Sequence, residues 1–164
     1  MTTIKRLDNA LVDQLMQQAA QSPRRRSHHN FHHSLDEPVQ RLLIALQPGT
    51  YIRPHQHPQR HKWEMMITLR GRIKLLLFSD DGCVNDVLVL GPDTPLNAVE
   101  LPPNTWHTLM PVDSAALIME VKQGPYLDTD VIHFADWAPQ ENSPEAEPFL
   151  NWCQQAENGD RYQS

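Results

Sequence analysis

Apolar residues recur along this chain at two different periods. Between Asp8 and Gln21 they fall at Leu11, Val12, Leu15, Met16 and Ala19, three and four apart, which predicts one amphipathic helix. Asp8 or Asn9 can cap its first turn, and Ser22-Pro23 ends it, because a residue before proline is driven out of the helical region. From Val39 onward the runs become short and strand-like: Val39–Leu46, Trp63–Leu69, Ile73–Phe78, Val84–Leu90, Ala98–Leu101, His107–Val112 and Ala115–Val121. Pro48-Gly49, Pro92, Pro95, Pro102-Pro103 and Asp113-Ser114 punctuate them. Asp81-Gly82 between apolar runs predicts a hairpin, and Arg70-Gly71 reads as a second one. No helices alternate with these strands, which excludes a parallel α/β sheet. The expected fold is all-β, a jelly roll or small barrel with an N-terminal helix.

The same pattern divides the chain into a helix and basic His-rich segment packing on the barrel (1–38), the barrel itself (39–138) and a C-terminal extension (139–164). Arg24 to His33 reads as a solvated basic loop, because runs of charge are usually exposed; the alternatives are an anion or sugar-phosphate contact by its arginines and metal binding by its clustered histidines. Phe134 to Ala138 reads as a last strand or an ordered loop whose Trp137 covers the core. Pro139 to Pro148 is acidic and proline-rich, which places it on the surface. Phe149, Leu150 and Trp152 then anchor a final helical turn.

Composition narrows the function. A length of 164 residues suits about one domain with a sizeable core. A net charge of −6 argues against general affinity for nucleic acid or an anionic membrane. Cys83 and Cys153 have no metal or redox spacing, as expected of reduced thiols in a cytoplasm. Neither a secretion signal nor a membrane span is expected, since no apolar run is long enough.

Candidate chemistry centres on His55-Gln-His57. Two residues apart on an extended chain, both rings leave one face and can meet one ion at about 2.0–2.1 Å each. Glu64 opens the next strand and offers an oxygen, and His107 stands at the mouth of a later strand. His61 competes with Glu64 for the carboxylate's place. Three imidazoles and a carboxylate suit one divalent metal, with Fe, Mn, Ni, Zn and Cu all acceptable. The plain alternative is a pair of polar residues in a proline-flanked loop. Trp63 and Trp106, each beside a proposed ligand, point away from it and read as packing. Tyr51, Arg53, Lys62, Glu120 and Lys122 are the strand-borne groups able to act as acid or base.

At Gly49, His55, His57, Glu64 and Gly71 the chain resembles the first motif of the cupin superfamily, with a longer spacer before Glu64. Pro102-Pro103-Asn104-Thr105-Trp106-His107 resembles the second, with Asn104 in place of a glycine. Ser22-Pro-Arg-Arg-Arg-Ser-His-His-Asn-Phe-His32, Gln40-Arg-Leu-Leu43, Pro48-Gly-Thr-Tyr-Ile-Arg-Pro-His55, Gly124-Pro-Tyr126 and Phe134-Ala-Asp-Trp-Ala-Pro139 are similar to WbuC-type cupin-fold metalloproteins, which occur among lipopolysaccharide O-antigen genes. The resemblance implies a double-stranded β-helix (a cupin jelly-roll barrel) and a metal held by His55, His57, Glu64 and His107. It also implies a small, carbohydrate-derived or anionic ligand, with Arg26, His29 and His32 at the mouth of the site. Arg53, next to the metal loop, and Tyr51 join them as candidate ligand contacts. A homodimer is compatible with it. Three readings stand: a metal-dependent isomerase or epimerase, hydrolase or oxygenase; a non-catalytic ligand-binding or sensor module; and a purely structural metal.

Overall fold

The computed structural model describes residues 4–112, 114–126 and 132–163. Among them the order is α1 (Asn9–Gln21), β1 (Arg26–Asn30), β2 (Val39–Leu46), β3 (His55–Gln56), β4 (Glu64–Arg70), β5 (Ile73–Phe78), β6 (Val84–Leu90), β7 (Ala98–Leu101), β8 (Trp106–Pro111), β9 (Ala116–Gln123), β10 (His133–Phe134) and α2 (Ala146–Gln155). The described strands form two antiparallel sheets, β1-β2-β9-β4-β7 and β10-β3-β8-β5-β6. The chain alternates between sheets at β2, β3, β4, β5, then returns through β6, β7, β8, β9. That interleaving is the double-stranded β-helix of a cupin barrel, here with an N-terminal helix.

Alternation along β2 explains how three layers form. Leu42, Ile44 and Leu46 face the barrel interior with Met66, Leu75, Leu109 and Ile118. Leu43 and Ala45 face outward, where Leu15 and Ala19 of α1 cover them together with Leu117. Because both faces are buried, β2 reads as a continuous apolar run. The Asp8 carboxylate accepts the Leu11 amide at 3.0 Å and caps α1, a contact worth about 1 kcal/mol. On the far side α2 packs over the second sheet through Phe149, Leu150 and Cys153, against Leu76, Phe78 and Met110. α2 is ten residues long, more than the single turn its anchors suggested.

Two sequence expectations need correction. The segment after α1 is a strand: β1 pairs with β2 from Arg26↔Leu46 to Asn30↔Leu42. Its apolar-poor composition hid it, because an edge strand needs only backbone partners along one side. Arg70-Gly71 does not close a hairpin either. β4 pairs with β7 and β9, and β5 with β6 and β8, so this turn steps between sheets. Gly71 has φ 70°, and a Cβ there would lie 2.6 Å from the Ala115 carbonyl oxygen. A hairpin and an inter-sheet step both require such a residue, so the dipeptide does not separate them. The Asp81-Gly82 hairpin between β5 and β6 forms as expected.

Candidate metal centre and its cavity

The short strand β3 meets β8 at a single residue pair, His55↔His107, which sets the two rings 4.4 Å apart between centroids. His57 follows two residues later, its ring 5.4 Å from that of His55. The loop before β8 is tied to this strand, because the Asn104 amide donates to the His57 carbonyl at 2.9 Å. Asn104 makes that turn at φ 62°, the left-handed conformation asparagine tolerates better than most residues. Glu64 arrives from the opposite sheet. One carboxylate oxygen lies 3.0 Å from His57 Nε2 and the other 3.4 Å from His107 Nε2. His61 is exposed, so Glu64 is the side chain that faces the histidines.

Tautomers follow from the outer contacts. Nδ1 of His55 sits 3.0 Å from the Arg53 carbonyl, and Nδ1 of His107 sits 2.9 Å from the Thr105 carbonyl. A carbonyl only accepts, so each Nδ1 carries the hydrogen and each neutral ring turns a bare Nε2 lone pair inward. At His107 that lone pair faces a Glu64 oxygen, with both residues almost wholly buried (2% and 3% exposed). Two buried acceptors facing each other are unfavourable unless a proton or a cation lies between or beside them.

The described residues supply one cation already. Lys122, on β9, places Nζ 3.5 Å from Glu64 and 2.7 Å from Glu120. Burial alone lowers a lysine pKa, but Glu120 and Glu64 outweigh it and hold Lys122 firmly protonated. Burial raises the Glu64 carboxyl. The His57 hydrogen bond, Lys122 and the imidazoles overcome that and keep it well below the usual carboxylate range. Burial and the neighbouring His107 push His55 down to about 3, and burial also lowers His107.

These shifts fix the sign of the acid response. His55, His107 and Glu64 each bind a proton less readily in the folded chain than in the unfolded one. The unfolded state therefore takes up more protons below the ordinary histidine value of about 6.5. Metal-free protein should hold full stability above that pH and lose it progressively as pH falls toward 3. The urea midpoint measured from pH 7.5 to 4 should fall. A flat profile would mean that His55 and His107 titrate as exposed histidines do.

His55 and His107 also line a cavity of about 510 Å³. Arg24, Arg26, Arg53, Glu120, Lys122 and Glu141 supply its charged wall, and Ile44, Met66, Leu109 and Phe134 its apolar wall. Of the residues expected at the mouth, Arg26 and Arg53 are there. Arg53 donates to the Ala135 carbonyl at 2.6 and 3.1 Å and lies over the Phe134 ring at 5.7 Å. Three others are elsewhere. His29 points to the α1 side of β1 and packs edge-on against Phe31. His32 is buried, with Nδ1 within reach of the Arg41 carbonyl and amide and bonded to whichever its tautomer selects. Tyr51 donates to the Pro139 carbonyl at 2.8 Å inside the α2 core. The cavity takes His28 in place of His29. Read as a strand, Arg26 and His28 share one face while Ser27 and His29 share the other; that was the available signal. Glu141, expected on the surface, instead reaches Arg24 and Arg26. No local pattern announces a contact between residues so far apart in sequence.

As placed, no three His, Cys, Asp or Glu side chains among the described residues stand in a finished arrangement for a metal ion. The donor chemistry nevertheless fits one. Two ligands about 2.1 Å from one ion, at octahedral to tetrahedral angles, lie about 3.0–3.4 Å from each other. Glu64 keeps that spacing to His57 and His107.

A family model, "Domain of unknown function (DUF6016)", matches residues 7–90, half of the chain. The chain belongs to the DUF6016 family. Among solved structures it is similar to protein SO0799 from Shewanella oneidensis, at 12% identity and TM-score 0.56, covering 78% of this chain and 83% of that one. It is likewise similar to the conserved protein SPY1581 of unknown function from Streptococcus pyogenes, at 14% identity and TM-score 0.51, covering 77% and 93%. A cupin superfamily protein from Desulfitobacterium hafniense matches at 11% identity and TM-score 0.47, over 60% and 76%. The first two, at identities this low, speak to the fold alone. A search of curated proteins finds no match. No helix among the described residues is long and apolar enough to cross a membrane.

Proposed function

We propose that this DUF6016 protein is a metal-binding cupin that holds one divalent ion on His55, His57, Glu64 and His107 and takes a small anionic, carbohydrate-derived ligand in the adjoining cavity. The observation that carries the reading is the buried Nε2 lone pair of His107 facing Glu64 at 3.4 Å, an arrangement a bound cation relieves. The backbone carbonyls at Arg53 and Thr105 hold two of the rings in the tautomer a metal needs. When bound, the ion would supply Lewis acidity at the cavity floor. The chain's own groups would do the rest. Arg26 and Arg53 would orient an anion, Lys122 would keep Glu64 ionised, and Glu120 beside it is placed to exchange a proton with a ligand hydroxyl.

The narrower resemblance to WbuC-type proteins adds a tie to lipopolysaccharide O-antigen chemistry. It rests on the sequence segments that carry it. A charged wall opening onto the histidines favours a ligand site over a purely structural metal. Choice between an isomerase or epimerase, a hydrolase, an oxygenase and a non-catalytic sensor depends on turnover. The test is metal uptake. Chelator-treated protein, titrated with Zn(II), Mn(II), Ni(II) or Fe(II) in a calorimeter, should take up about one ion per chain. Failure to bind any of them would overturn the reading.

A further inference from the structure

Arg24 grips Glu141 with two parallel bonds, Nε to one oxygen at 3.0 Å and Nη2 to the other at 3.1 Å. Arg26 Nη2 closes on the same carboxylate. Planar, forked contact of this kind is how arginine recognises carboxylates and phosphates, and the group it holds here is a carboxylate. Arg26 does not depend on Glu141 for its position: its Nη1 donates to the Tyr51 carbonyl at 3.0 Å and approaches Thr50 Oγ1 at 3.4 Å. Both arginines line the cavity whose floor carries His55 and His107.

The segment that delivers Glu141 is held at its ends and loosely between them. Tyr51 fixes Pro139, and α2 begins at Ala146. Between these points the backbone makes turn contacts, Ser143 amide to Gln140 carbonyl at 3.2 Å and Ala146 amide to Ser143 carbonyl at 3.1 Å. Asn142, beside Glu141, sits at φ 66°, a conformation uncommon outside glycine. Behind Glu141 lies a second cavity of about 430 Å³, which shares Arg24, Arg26 and Glu141 as its wall. The carboxylate therefore has room to withdraw without disturbing a sheet.

We propose that Glu141 occupies, with its own carboxylate, an arginine fork that receives the carboxylate of an acidic ligand, so that ligand binding displaces the 140–145 strap. This rests on reading the larger cavity as a ligand site and is independent of the metal. The ligand class is then a carboxylic acid small enough for the cavity, with its acid group at Arg24 and Arg26 and its polar body toward His55 and His107.

One sugar scaffold in three forms tests this: glucuronate carries the carboxylate, glucose 6-phosphate a phosphate, and glucose neither. Calorimetry on wild type and Glu141→Gln should show glucuronate binding about tenfold tighter in the variant, the scale of one charge-assisted contact no longer competed for. Glucose should be unchanged. No gain for glucuronate, or a gain confined to glucose 6-phosphate, overturns the proposal. Hydrogen exchange on the wild type gives a second reading that needs no variant. Amides 140–145 should exchange faster with glucuronate bound, and unchanged exchange overturns the displacement. Metal content is measured on the same samples. Protein that takes up none of the metals yet shows the gain sinks the metal reading alone, and protein that takes up metal without showing the gain sinks the Glu141 proposal alone.

Discussion

His107→Ala should abolish metal binding, weakening affinity by at least about a hundredfold. Loss of a mere outer-sphere partner costs about ten- to a hundredfold, and His107 is proposed as a direct ligand. It is also the best-placed of the three histidines for this test. It is 2% exposed, it pairs with His55 across β3 and β8, and its Nε2 faces Glu64. Elemental analysis of folded variant, checked by circular dichroism, reads the outcome. The metal-free variant should keep the wild-type fold, because alanine removes one of two buried acceptors that oppose each other. Full metal occupancy in His107→Ala would mean that the ion, if any, sits elsewhere.

Phe149→Ala should cost about 3–5 kcal/mol, the usual range for deleting a fully buried aromatic ring. Phe149 is completely buried, and its ring contacts those of Tyr51, Trp152 and Tyr162 at centroid distances of 5.9, 5.4 and 4.9 Å. Among the described residues, β5 and β8, which carry the facing Leu76, Phe78 and Met110, are held by their own ladders and resist collapse into the space. Urea denaturation should show the drop as a lower midpoint. A loss under about 1 kcal/mol would mean that α2 is an appendage and not part of the core. The effect should reach the cavity too, because Tyr51, in contact with Phe149, positions Pro139 and so the base of the Glu141 strap.

What could be read from the sequence was what the covalent chain itself repeats. The helical period through Leu11, Leu15 and Ala19 and the period-two runs from Val39 onward are local properties, and the architecture followed from them. The His55-Gln-His57 spacing is equally local, since neighbours two apart on a strand share a face wherever the strand is placed. The turn at Asn104 was legible for the same reason, because left-handed backbone is a demand on one residue.

Tertiary structure alone decided which face meets which. Arg70-Gly71 could close a hairpin or step between sheets, and only pairing of β4 and β5 with other strands chose the step. The Arg24–His33 stretch could be loop or strand, because pairing with β2 supplies its partners from elsewhere. That choice then put Arg26 and His28 in the cavity and turned His29 away. Tyr51 and His32 were claimed by backbone groups that no motif specifies. Glu141 looked like one more carboxylate in an acidic, proline-rich tail. It became part of the wall because two arginines more than a hundred residues upstream were waiting for it, and an attraction between distant charges leaves no period in the sequence.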